Sequence, residues 1–109
     1  MKAHTDLEQS RKLAEILPLE SADMNYWCGT QIRIGGYRTM DKDLDVPCWS
    51  LAALLDILPD RTCIFKKTYR DGRVKYQGVM EGNRELILKD NPIDTCYEMI
   101  IKLYEQKLL

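Results

Sequence analysis

The sequence predicts an α+β fold: a meander of three or four antiparallel strands with about three helices packed on one of its faces. Three observations carry this expectation. Apolar residues recur at helical spacing near both ends of the chain and in the central segment VPCWSLAALLDILP. Between Thr62 and Lys89 they alternate instead, with the period of two that marks a strand. Turn residues at Asp71-Gly72 and Gly82-Asn83 divide that alternating stretch into three.

A chain of 109 residues, 45% hydrophobic and 30% charged, has the length and composition of one folded domain, here residues 1–109. The formal charge of −1 excludes a global electrostatic match to nucleic acid or to an anionic membrane, so any such role needs a local patch. The N-terminal stretch MKAHTDLEQSRKLAEI lacks the apolar core of a signal peptide. The longest apolar run is roughly half of what a bilayer requires. The expectation is a cytoplasmic protein without a membrane role, whose Cys28, Cys48, Cys63 and Cys96 are reduced thiols.

The first helix is expected over about residues 5–17. Thr5 and Glu8 have capping-box spacing, Leu7, Ser10, Leu13, Ala14 and Leu17 share one stripe, and Pro18 stops the run. Residues 19–45 read as an irregular region with one or two short strands. Met24, Tyr26 and Cys28 alternate with other residues, as do Ile32 and Ile34 around Arg33, while Gly29, Gly35 and Gly36 interrupt. The following MDKDLD is solvated linker by composition.

The second helix is expected over about residues 46–58, with Asp45 as its cap, Pro47 in its first turn and Pro59 at its end. Trp49, Leu51, Ala52, Ala53, Leu54, Leu55, Ile57 and Leu58 cover almost its whole circumference, the mark of an interior helix. The meander follows over about residues 62–89. A two-residue Asp71-Gly72 loop pairs Tyr69 with Val74, Lys67 with Tyr76, Phe65 with Gly78 and Cys63 with Met80, which makes that face the buried one. A three-residue second turn with a bulge brings Leu86 and Leu88 onto the same face. The last helix is expected over about residues 92–107, capped by Asn91, opened by Pro92, and striped by Ile93, Cys96, Tyr97, Ile100, Ile101, Leu103, Tyr104 and Leu108.

Catalytic, metal and cofactor signatures are missing. The single histidine, His4, sits near a terminus expected to fray, which leaves Cys–His and Ser–His pairs without a base. Successive cysteines lie 20, 15 and 33 residues apart, without the paired spacing of a zinc site. Asp41, Asp43 and Asp45 imitate the start of a calcium loop, but Val46 stands where a glycine is needed and Ala52 where a glutamate is needed. GTQIRIGG lacks the lysine and the strand–turn–helix setting of a phosphate loop, and Glu81 and Glu85 flank an exposed turn.

One feature rises above background. Lys66, Lys67, Arg70, Arg73 and Lys75 crowd the first hairpin against one acidic residue, Asp71. Arg70 is expected to face Arg73 across the turn, an arrangement that invites an anion. A stacking platform for nucleic acid needs aromatic and basic residues on one side of the sheet. The pairing above sends Tyr69 and Tyr76 to the other side, which favours a merely solvated lysine-rich face.

The segments LAEILPLESADM, PCWSLAALLDILP and PIDTCYEMIIKLYEQKLL resemble short, uncharacterised proteins of gut Bacteroides-type bacteria, often encoded in prophages or mobile elements. The resemblance implies an intracellular α+β domain with a phage-related accessory role, and it assigns no site residue. The sequence thus leads to two expectations: a non-enzymatic protein-interaction module that engages a protein partner or a second copy of itself, with Trp27 and Tyr37 as exposed aromatics, or an anion or nucleic-acid binder using the five basic residues. A small-molecule pocket formed by the loop from Tyr26 to Tyr37 is a third class, with no residue pointing to it.

Overall fold

The computed structural model describes residues 2–27, 31–34, 45–80 and 83–109. These form an α+β fold with two antiparallel sheets, one more than expected. Helix α1 spans Leu7–Ile16, and three short strands follow: β1 (Met24–Trp27), β2 (Gln31–Ile34) and β3 (Asp45–Cys48). Helix α2 is Leu51–Ile57. The second sheet comprises β4 (Thr62–Thr68), β5 (Val74–Met80) and β6 (Asn83–Lys89), and helix α3 (Pro92–Glu105) closes the chain. Strand orders are β2-β1-β3 and β4-β5-β6.

Helix α1 starts one residue later than its capping box suggested. Asp6 is the cap, its carboxylate accepting from the Gln9 amide at 2.8 Å while the Gln9 side chain accepts from the Asp6 amide at 3.1 Å. Thr5 is engaged elsewhere: its amide donates to the Trp49 carbonyl at 3.0 Å and its hydroxyl accepts from the Trp49 amide at 3.1 Å. That pairing leaves Thr5 fully buried and unable to cap. Lys2 ties the same end to α3, with its ammonium 2.9 Å from Asp6 and 2.8 Å from Asp94. Both carboxyls sit below their ordinary range despite a desolvation that opposes it, because they accept hydrogen bonds and face the Lys2 charge.

The expected helix over residues 46–58 is a larger correction. Residues Asp45–Cys48 form an edge strand against β1, with Pro47 opposite Asn25. A proline is tolerated at a sheet edge, so its presence did not distinguish a first helical turn from β3. The cap of α2 is Ser50 rather than Asp45. Its hydroxyl accepts from the Ala53 amide at 3.2 Å and donates to Asp23, whose other oxygen accepts from the Ser50 amide at 2.9 Å. The helix is not greasy all round: Ala53 and Leu54 are buried, whereas Ala52, Leu55 and Asp56 are exposed.

Trp49 lies between β3 and α2 and is fully buried, its indole N–H donating to the Ser21 hydroxyl at 3.0 Å. Around it the core gathers Leu13 and Leu17 of the first helical segment, Leu54 and Leu58 of the second, and Ile93, Cys96, Met99, Ile100 and Leu103 of α3. Met80 and Ile87 join from the meander. Helix α3 lies across β5 and β6 as its N-terminal signals anticipated, with Asn91 capping and Pro92 in the first turn. Its end is a Schellman motif: the Leu108 amide donates to the Leu103 carbonyl and the Lys107 amide to that of Tyr104. Lys107 consequently adopts φ 59°, a left-handed conformation that a side chain resists. Lys107→Gly is expected to raise stability by about 0.5–1 kcal/mol in urea unfolding; a loss would contradict this geometry.

Candidate functional site: the open face of the second sheet

The first hairpin closes through a three-residue loop, Arg70-Asp71-Gly72. The Gly72 amide donates to the Tyr69 carbonyl at 3.0 Å, and the Tyr69 amide to the Arg73 carbonyl at 2.8 Å. Gly72 takes φ 90°, where glycine alone is unstrained, and Asp71 accepts from the Arg73 amide at 3.0 Å. The register is therefore Lys66 with Tyr76, Lys67 with Lys75, Phe65 with Gln77 and Thr68 with Val74. Each pair is displaced by one residue from the expected pairing. Because side chains alternate across a strand, that single step exchanges the two faces of β4 relative to β5.

Which face is covered follows from Gly78. A Cβ on this residue would stand 2.4 Å from the Met99 sulfur, so its α side looks directly into α3. Thr95 holds the helix there, its hydroxyl donating to the Tyr76 carbonyl at 2.7 Å. Ile64 and Ile87, opposite Gly78 on the two neighbouring strands, point the same way. The other face looks away from α3. It carries Cys63 and Val79, then Phe65, Gln77 and Leu88, then Lys67 and Lys75, then Tyr69 and Arg73. The expected burial of Phe65, Tyr69, Cys63 and Leu88 against the core is thereby corrected: Phe65 is 54% exposed, and Leu88 lies beside Gln77 on the open face. Met80 pairs with Asn83, and the two-residue register shift between Gly78 and Met80 keeps the alternation, so Ile87 faces inward in its place.

The five basic residues do not form one cluster. Lys67, Arg73 and Lys75 share the open face, Lys66 stands on the α3 side with Tyr76, and Arg70 belongs to the loop rather than opposing Arg73. Arg73 lies 5.0 Å from the Tyr69 ring centre and Lys67 5.5 Å, so the ring holds two cations by its electron-rich π system. Asp71 pairs with Arg73 at 2.6 Å, and Asp90 pairs with Lys75. Among the described residues no carboxylate lies within ion-pair distance of Lys67, directly opposite Lys75, or of Lys66 and Arg70. The face thus has an apolar half around Phe65 and a cationic half around Tyr69. Phe65 and Tyr69 were the residues that sequence reasoning missed; the signal that could have found them is the glycine in third place of a three-residue loop.

Other groups named from sequence are structural where they are described. His4 is not frayed: it bridges to Ser50 and meets the Tyr26 ring edge-on at 5.7 Å, while the Tyr26 hydroxyl donates to the Thr5 carbonyl at 2.9 Å. Cys48, Cys63 and Cys96 are free thiols, and burial pushes Cys48 and Cys96 up to about 12, which leaves them protonated and poorly nucleophilic at neutral pH. Among the described residues no group of three or more metal-ligating side chains comes together, and no helix is long and apolar enough to cross a membrane. Cys28, Asp41, Asp43, Glu81, Tyr37 and half of the segment from Tyr26 to Tyr37 fall outside the described residues, as do the side chains of Trp27, Asp45, Glu85 and Leu86. No protein-family model matches the chain, and no curated protein or solved structure matches it either.

Proposed function

We propose that this protein is a non-enzymatic binding module that takes single-stranded nucleic acid on the open face of β4, β5 and β6. The observation that carries the reading is the register, which sets Phe65 and Tyr69 on the same side as Lys67, Arg73 and Lys75. Exposed aromatic rings accept stacked bases of any identity, and adjacent cations neutralise the phosphates between them. Phe65, on which no cation stacks among the described residues, serves as the stacking surface, with Gln77 beside it to meet a base edge. Tyr69 serves the backbone by presenting Lys67 and Arg73 together. An accessory role for a phage or other mobile element belongs to the same proposal.

The test is fluorescence anisotropy with a labelled single-stranded oligonucleotide across a salt series. Affinity is expected to fall with salt at a log–log slope of roughly −0.7 for each phosphate engaged. Phe65→Ala should weaken binding about tenfold, the scale of one lost stacking contact, without changing that slope. Lys67→Gln should make the slope shallower, whereas Lys66→Gln, on the α3 side, should leave it in place. Equal effects of the two lysine substitutions, or no effect of Phe65→Ala, would count against the open face. A protein-contact module is the second reading, and the exposure of Leu55, Tyr104 and Leu108 favours it. Complete absence of oligonucleotide binding would shift the balance there.

A further inference from the structure

Strand β4 is an edge strand, and its free edge has an unusual property: it is complementary to itself. In an antiparallel ladder successive residues direct their amide and carbonyl alternately to one neighbour and to the other. The Tyr69 amide donates to the Arg73 carbonyl across the hairpin, so the odd-numbered residues of β4 bond to β5. The even-numbered residues Thr62, Ile64, Lys66 and Thr68 therefore turn their backbone groups to the open edge. Only an antiparallel register that joins even residues to even residues lets a second copy bond there.

We infer that β4 pairs with β4 of a second copy about a twofold axis at Phe65, joining the two sheets into one of six strands. In this register Thr62 meets Thr68, Cys63 meets Lys67, and Ile64 meets Lys66, so all seven residues of the strand pair and no lysine opposes another. Arg70 is carried to the level of Asp60 of the second copy, an opposite charge. The two Phe65 rings become direct neighbours in a pair without mutual hydrogen bonds, the closer kind, on the open face. The neighbouring registers are worse. Centring on Lys66 sets two lysines against each other; centring on Ile64 shortens the ladder and sets Lys67 against Arg61. Lysines on an edge strand usually discourage pairing, but here they select one register. The arrangement goes beyond the proposed nucleic-acid role and does not depend on it, although it would double the platform.

Sedimentation without nucleic acid tests it. At protein concentrations of roughly 100 µM, where a small interface is populated, the wild type should sediment with twice the chain mass of 12.7 kDa, and should do so in high salt as well. Lys66→Pro removes an amide that no strand of its own sheet uses, and is expected to give a folded monomer. Should that variant fail to fold, cysteine pairing decides in a background of Cys28→Ser with Cys63→Ser. There Phe65→Cys should oxidise rapidly to a disulfide-linked dimer, and Lys67→Cys should do so only when Cys63 is restored. A monomeric wild type at that concentration overturns the inference. So does a Lys66→Pro dimer, or a Lys67→Cys variant that links to itself without Cys63.

Discussion

Trp49→Ala is expected to lower folding stability by about 4 kcal/mol, because the largest side chain of the core is lost and its site cannot collapse. Trp49 is fully buried, and three otherwise separate parts of the chain meet on it. The N-terminal segment pairs with its backbone through Thr5, the turn after α1 accepts its indole proton through Ser21, and α2 begins directly behind it at Ser50. A domain of this size is held by roughly 5–15 kcal/mol in total, so the substitution should leave little of the transition measurable in urea. Trp49→Phe separates the contributions. It keeps most of the apolar contact and loses the hydrogen bond to Ser21, and should cost about 1–2 kcal/mol. A loss below about 1 kcal/mol for Trp49→Ala would show that the residue is not where the elements converge.

Gly78→Val is expected to be nearly as damaging, at about 3 kcal/mol, for the opposite reason. Nothing is removed, but α3 rests directly on the glycine. A Cβ there would meet the Met99 sulfur at 2.4 Å, its Cγ at 2.9 Å and the Thr95 methyl at 3.1 Å. The Met99 side chain cannot simply swing away, since it is itself fully buried, and Thr95 is tethered to the Tyr76 carbonyl. Gly78→Ala should cost less, and combining it with Met99→Ala should cost less than the two single changes added, by about 1 kcal/mol or more. Strict additivity would mean that the helix does not lie on Gly78. Gly72→Ala is the control: that position is open, so only its φ of 90° is penalised, at about 1 kcal/mol.

These residues also show what could be read from the sequence. The burial of Trp49 was legible because so apolar a segment has no better place in a small folded domain than its core. The opening of α3 was legible because Asn91 and Pro92 each suit that position for a local reason, and local reasons are visible in sequence. The limits of α2 were not. Pro47 is equally at home in a first helical turn and on an edge strand, and the choice was made by β1, a partner more than 20 residues away in the chain. The β2-β1-β3 sheet was hidden by the same distance, since pairing of β1 with β3 leaves no trace in either segment alone.

The candidate site was lost to a single residue of register. The sequence RDGR supports both a two-residue loop at Asp71-Gly72 and a three-residue loop at Arg70-Asp71-Gly72, and both satisfy the glycine. They differ in which face of β4 joins which face of β5. The basic residues were therefore found by composition, while the aromatic partners that give Lys67 and Arg73 a purpose were assigned to the core. Lys66 was counted with the group although it stands on the other side of the sheet.

That register is what the functional account rests on, and it can be measured without any ligand. In an antiparallel ladder the Cα protons of residues paired without mutual hydrogen bonds lie close enough for a strong nuclear Overhauser effect. The account requires such contacts between Lys66 and Tyr76, between Ile64 and Gly78, and between Thr68 and Val74. Contacts between Lys67 and Tyr76 or between Phe65 and Gly78 would return Phe65 and Tyr69 to the core side of the sheet, and the proposed binding face would no longer exist.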